Sequence, residues 1–436
     1  MKTLMFLFMM VALVLAGCSS GGGDQGSDES GNGGGGNASV DVNIVAHPAY
    51  SLKASDQKVV GYLKNSISTF EDKNNANVDL TAYSSNISEA MAKLIEQASQ
   101  DRAPDVAQID AHILPRYYDY LQPLDPYLKK YNISLDDFYP FAKKVMKGPD
   151  GKIYGVQFTT DVRVMFYRKD LVSSPPKTWS DVLELGKKLK KQGYYPFLYP
   201  AGRGEGTTVT TILPMFWGQG GKLVDDQGKP VFGKGKNKQA MLNVLKFLDQ
   251  TVKTGITPKR VSTYGSESDL NAEVATGKVA MFLGGNWQAS QIKHILGEDE
   301  FKKWGVAPIP HKEGAEIATT AGGWAWAMFA KDKDKQKTAV DFLAQTFVGN
   351  EGMASWSNIG GYLPVRKPVY KTDEYKGGKF TDTFKKHLSK YAKARPSSEA
   401  YPEISAQLQI AVSSVVSESK TPEQALADAW SAVKAK

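Results

Sequence analysis

The residues best suited to chemistry are two aspartates, two tryptophans and an arginine, each in a distinctive local setting. Asp110 closes the strand-like run Pro104–Ile109, and Asp161 precedes the β-prone segment Val164–Arg168. Trp287 follows Gly284-Gly285-Asn286, Trp324 follows Gly322-Gly323, and Arg395 precedes Pro396. Ionised carboxylates accept hydroxyl protons, a guanidinium donates from a rigid fork, and aromatic faces cover apolar C–H surface. Converging in a cleft, such groups would hold a small polar ligand without covalent chemistry. Each has a plainer reading. Asp110 could be a turn former or helix cap, Asp161 a loop carboxylate paired with Arg163, either tryptophan a core residue, and Arg395 half of a surface ion pair. His47, after the first strand, and Arg366, after Tyr362-Leu363-Pro364, are weaker candidates. Trp217 reads as core on a helix.

Other chemistries lack their residues. The glycine-rich loop Gly202–Thr207 has neither the Gly-Lys-Ser/Thr ending of a phosphate loop nor the spacing of a dinucleotide fingerprint. The 5 histidines are dispersed, with no pair at i, i+4, and no cysteine clusters occur, so no zinc or other metal site is expected. No cofactor is implied. Tyr117-Tyr118 and Tyr194-Tyr195 suggest iron ligation only superficially, because adjacent helical residues do not share a face.

These residues need a scaffold, and the chain reads as alternating strands and helices, an α/β pattern. Val40–Ala46 alternates apolar and polar residues as a strand, then Val59, Val60, Leu63, Ile67 and Phe70 recur at helical spacing. Val78–Tyr83 and Pro104–Ile109 read as strands around a helix that Asn86 would cap, with Glu89 at its third position. Further strands are expected at Val164–Arg168, Lys278–Leu283 and Gly305–Ile309. Helices are expected over Thr178–Gln192, Leu242–Val252 and Thr338–Val348. Two more should close the chain at Glu403–Glu418 and Thr421–Lys434, the last with Pro422 at its first position and Gln424 closing a capping box. Asp150-Gly151 and Asp225–Gly228 mark tight turns.

The first residues read as an address. Lys2 precedes the apolar run Leu4–Leu15, too short for a comfortable membrane span and placed as a secretory signal would be. It ends in Leu15-Ala16-Gly17-Cys18, which resembles the bacterial lipobox, and Cys18 is the 1 cysteine in 436 residues. That resemblance implies cleavage after residue 17 and a lipid on Cys18, anchoring the chain to the outer face of the cell membrane. A lipid group holds because each buried methylene contributes roughly 0.8 kcal/mol. Residues 18–39, rich in Gly, Ser, Asp and Asn, read as a flexible tether. The net charge of +8 is scattered over helical segments such as 186–191 and 331–337, with no nucleic-acid-binding signature.

A set of segments, in order, resembles the solute-binding proteins of ABC sugar importers, the maltodextrin- and trehalose/maltose-binding group. They are Pro104–Asp110, Leu121–Asp125, Gly151–Val156, Asp161 through Tyr167–Leu171, and Pro175–Trp179. Then come Gly277–Met281, Gly285-Asn286-Trp287, Gly322-Gly323-Trp324, and Ala394-Arg395-Pro396 with Tyr401-Pro402. The resemblance implies a type II, two-lobed periplasmic-binding-protein-like fold closing over its ligand at a hinge. The first lobe would take 40–160 plus 327–371, the second 161–326 plus 372–436. It further implies that Asp110 and Asp161 accept sugar hydroxyls, Trp287 and Trp324 stack, Gly323 contributes backbone and Arg395 donates. Glu205 and Gly206 match an acidic-Gly position of the second lobe. The partners implied are a sugar, an ABC permease and the membrane, with no nucleic acid, and the receptor is expected to be a monomer. The set leans toward a disaccharide or short oligosaccharide, an α-glucoside such as trehalose or maltose. The rivals are a receptor for a polyamine or iron and a secreted glycosidase, which would need two facing carboxylates such as Asp110 and Asp161.

Overall fold

The computed structural model describes residues 39–434, so the signal segment, Cys18 and nearly all of the tether lie outside the described residues. Residues 39–436 group as one compact unit. Within it, two β-sheets each carry their own apolar core.

The first sheet is built from β1 (Val40–Ala46), β2 (Ala76–Ala82), β3 (Val106–Asp110), β4 (Gly155–Gln157) and β9 (Trp324–Met328), in the order β2-β1-β3-β9-β4. β1 runs parallel to β2 and β3, whereas β9 is antiparallel to β3 and β4. The parallel strands alternate with helices Gln57–Glu71 and Ile87–Ser99, the second capped by the Asn86 side chain accepting from Glu89 N–H. The second sheet comprises β5 (Arg163–Arg168), β6 (Met281–Gly285) and β7 (Trp304–Ala307), with β5 antiparallel between the other two. β8 (Thr319–Ala321) and β10 (Ala392–Ala394) form a short parallel ladder.

Helix ends follow their local chemistry. Thr178 and Asp181 form a reciprocal capping box on helix Trp179–Lys191. Thr421 and Gln424 exchange the same pair of bonds at the start of Pro422–Lys434. Helix Gly235–Lys253 is longer than its apolar stripe predicts, because polar residues 235–239 extend it toward solvent. The second core stacks Phe166 on Phe282 at 4.7 Å and Trp179 on Phe247 at 4.8 Å. Trp217 is buried there, on helix Thr210–Trp217.

The chain crosses between the sheets in three places. The first is at Thr160, which pairs with Leu363. The second lies at Gly322-Gly323, earlier than the boundary expected at 326, because β9 begins at Trp324 and hydrogen-bonds into the first sheet. The third lies beyond the expected residue 371. Val369 and Tyr375 still pack on the first core, and Phe380 is the next residue in the second. The first two crossings are stitched together. Gln157 Nε2 donates to the carbonyls of Thr159 and Gly322 at 2.9 Å each, and Thr160 Oγ1 donates to Gly322 at 3.1 Å. Gly323 sits at φ +127°, and a Cβ there would lie 2.0 Å from the Thr159 carbonyl oxygen. Only glycine fits.

Candidate functional site

Strand ends and crossings bring most of the nominated residues together. Asp110 ends β3, where open α/β sheets present ligand groups. Its carboxylate accepts from Arg395 Nη2 through both oxygens, at 2.8 and 2.9 Å, and lies 2.9 Å from His112 Nδ1. Arg395, just past β10, also donates from Nη1 to Glu205 at 2.7 Å. Glu205 accepts in addition from Tyr401 at 2.7 Å and from Ser405. Arg395 thus bridges the first sheet and the second core, with side chains of all three members at most 10% exposed. Burial alone would raise the Asp110 carboxyl, but Arg395 and then His112 overcome it and hold the group well below the usual carboxylate range. The same contacts, opposing burial, hold Arg395 firmly protonated.

Asp161 follows the first crossing and behaves differently. Among the described residues, its carboxylate makes no hydrogen bond or ion pair. Burial pushes it up to about 6, opposed by Arg163 and Arg395 and reinforced by Asp110 and Glu267. Asp161 and Arg395 converge on Gly322, where a Cβ would stand 3.3 Å from a carboxylate oxygen and 3.4 Å from Nη2. The plain pairing of Asp161 with Arg163 is absent. Arg163 donates instead to Glu267 at 3.0 Å and to the Gly206 carbonyl, with its guanidinium 4.6 Å over the Trp287 ring. That places Gly206 and Trp287 in one group and covers one Trp287 face with a cation.

An aromatic wall stands on the first-sheet side. Trp324 opens β9 half-buried, with His47 at 5.5 Å and Tyr50 at 5.9 Å between ring centroids. Tyr50 stacks on Tyr362 at 5.2 Å, and the Asp161 charge acts on both phenols. Trp326, two residues on and on the same face, is fully buried and stacks on Phe158 at 5.2 Å, so both tryptophans lie over the first core and Trp324 is the half-buried one at the site end. His47 joins the wall through its ring and accepts from Ala49 N–H at 3.2 Å, and burial, only partly offset by Asp110, lowers it to about 4.

Arg366 does not join this group. Its guanidinium donates to Asp137 at 2.8 Å and to the Val348 carbonyl at 2.8 Å, buried in the first lobe. It is a structural residue, placed there because the turn after Pro364 points it inward beside Phe138, with which it forms a bridge. Tyr117 and Tyr118 donate to the carbonyls of Met91 and Val145, ordinary packing bonds. Tyr50, Tyr362, Arg163, Glu267 and His112 went unnominated. Tyr362 was legible beside Leu363-Pro364, whereas Glu267 opens helix Glu267–Ala275 with nothing in its neighbours to mark it. Among the described residues no acidic, His or Cys group could hold a metal ion. Surface grooves of about 450 Å³ beside helix Ile87–Ser99 and about 280 Å³ beside Trp430 lie outside the group.

Two sheets, crossings stitched between them, and polar and aromatic groups gathered at the crossings define a two-lobed α/β binding protein. The family model for bacterial extracellular solute-binding proteins matches residues 65–382, and the chain belongs to that family. A probable amino-acid ABC transporter periplasmic-binding protein of Sinorhizobium fredii is 26% identical, covering 68% of this chain and 67% of the relative. A maltodextrin-binding protein of Bacillus subtilis is 26% identical, over 45% of this chain and 46% of the relative. Among solved structures, maltose-bound MalE3 of T. maritima superposes with a TM-score of 0.76 at 24% identity, covering 91% of this chain and 99% of that one. The likeness in structure carries the fold, a type II arrangement.

Proposed function

We propose that this protein is the substrate-capturing component of an ABC importer for carbohydrate, binding a disaccharide or short oligosaccharide, with an α-glucoside such as maltose or trehalose favoured. The observation that carries this reading is Asp161: an unpartnered carboxylate beside the aromatic wall of Tyr50, Trp324 and Tyr362. A carboxylate next to aromatic faces complements a sugar, which pairs hydroxyl donors with apolar C–H patches. The maltodextrin-binding relative supports the class of ligand, while the amino-acid relative does not, and the carboxylate beside aromatic faces favours the saccharide. In this reading the lobes close over ligand, and the closed surface is recognised by permease subunits. The receptor acts as a monomer tethered through lipid on Cys18 at the extracytoplasmic face. It binds and does not catalyse: one candidate carboxylate, Asp110, is locked to Arg395, leaving no free pair to act as acid and base.

The test is a thermal-shift screen of the full chain against maltose, maltotriose and trehalose, with spermidine and ferric citrate as rivals. A ligand at 100-fold saturation stabilises the folded state by about 2.7 kcal/mol. A shift with one saccharide that disappears in Asp161→Ala and Trp324→Ala supports the reading. Shifts from spermidine or iron alone would discard the sugar and keep the receptor.

A further inference from the structure

The charges around Asp161 do not balance. Arg395 is held by two carboxylates, Asp110 and Glu205, and Arg163 by Glu267. Their Nε–H groups are buried without partners and so are not offered outward. The group therefore gathers four carboxylates, Asp110, Glu205, Glu267 and Asp161, against two guanidiniums. Even a proton on His112, which contacts Asp110, leaves a negative excess. His47 adds nothing, since burial keeps it neutral at neutral pH. Every cation in the group is already paired with an anion, and the one group left without a partner is an anion.

We infer that the site discriminates by charge within its ligand class, favouring saccharides that carry an amino group near Asp161 and rejecting acidic saccharides such as uronates. The inference rests on the carbohydrate reading of the site and deepens it. An ammonium placed against the ionised Asp161 replaces a hydroxyl–carboxylate hydrogen bond by a full ion pair, adding Coulomb attraction in a site of low dielectric. A ligand carboxylate meets no unpaired cation and faces Asp161 itself, and like charges brought together in a desolvated site repel strongly. The polar network of Arg395 then acts by exclusion: Glu205 and Asp110 keep the guanidinium away from any ligand anion.

The experiment is calorimetric titration of the full chain at pH 7.5 with three matched probes: maltotriose, maltotriose bearing one amine in place of a hydroxyl, and maltotriose oxidised to a terminal uronate. Putrescine and spermidine are titrated beside them. The expected result is an amine form at least about tenfold tighter than the uronate form, with that ratio collapsing toward one in Asp161→Asn even though the variant binds all three probes more weakly. Asp161→Ser is the second variant should the amide fail to fold. Equal affinities for all three probes in the native protein would overturn the inference and leave the carbohydrate reading standing. Binding of spermidine but of no maltotriose form, lost in Asp161→Asn, would sink the carbohydrate reading and keep the cation preference. Silence from every amine-bearing probe overturns the charge discrimination outright.

Discussion

Asp161 and Asp110 are chemically the same side chain with opposite circumstances, and the contrast sets what each does. Asp110 is held ionised by Arg395 and His112, so its acceptor oxygens are committed within the protein. Asp161 is raised to about 6 because burial costs it hydration and nothing donates to it. A carboxyl raised in the folded state binds its proton more tightly there than in the unfolded chain, so its ionisation opposes folding as pH climbs through that window. Asp161→Asn should therefore melt higher than the native protein at pH 7.5 without ligand, the difference shrinking toward pH 4. Scanning calorimetry across that range checks it, and a constant difference would refute the assignment. Trp324→Ala should weaken saccharide binding about tenfold or more, read by titration calorimetry, since it removes a stacking face from the wall. Arg366→Ala should do the reverse. Removing the buried guanidinium takes a donor from the Val348 carbonyl and an ion partner from the part-exposed Asp137, which keeps only the Ser134 N–H, and costs about 2 kcal/mol in urea unfolding, with ligand affinity of the folded fraction unchanged.

At the scale of elements, the crossings matter most. β9 arrives from the second core and inserts between β3 and β4, so Trp324 is aimed by a strand whose partners are all in the first sheet. Its entry depends on Gly323, whose φ and close approach to Thr159 admit no side chain. Gly323→Ala should destabilise the fold by about 2 kcal/mol or more and weaken ligand binding together, because the strain falls on the strand that carries Trp324. Denaturant midpoints alongside titrations would show it. A variant as stable as the native chain would mean that the crossing relaxes freely. The strands and helices themselves were largely legible. Val40–Ala46 alternated as a half-buried strand, and Thr178 with Asp181 announced a helix start that forms with both capping bonds in place. What escaped were the short strands β4, β8, β9 and β10, whose pairing is chosen by distant partners.

For the whole molecule, the Arg395 bridge is the main consequence. Asp110 belongs to the first sheet, whereas Arg395 follows β10 and Glu205 accepts from Tyr401 of the second core, so a buried ion pair joins the two sides without help from ligand. Breaking it by Asp110→Asn should open the ligand-free protein, seen as a larger radius of gyration by solution scattering, and saccharide should restore compaction. An unchanged radius would show that other contacts hold the lobes. The charge at this junction also bears on selectivity, because the network that joins the lobes is the one that keeps Arg395 from a ligand anion.

The sequence alone determined the local elements, the α/β class, and the candidate role of Asp161, Trp287, Trp324 and Arg395. The element signals are local, period-two and period-3.6 apolar patterns and capping residues, whereas the roles of those four residues are what the resemblance to sugar-importer solute-binding proteins implies. Tertiary structure decided which polar groups are already paired. Arg395 finds Asp110 across 285 residues and Arg366 finds Asp137 across 229, and no neighbouring residue encodes either distance. Pairing is a property of three-dimensional approach in a low-dielectric interior, where one ion partner decides whether a carboxylate is occupied or free. For that reason the sequence could nominate Asp110 and Asp161 equally, and only the fold could leave Asp161 as the unpartnered one.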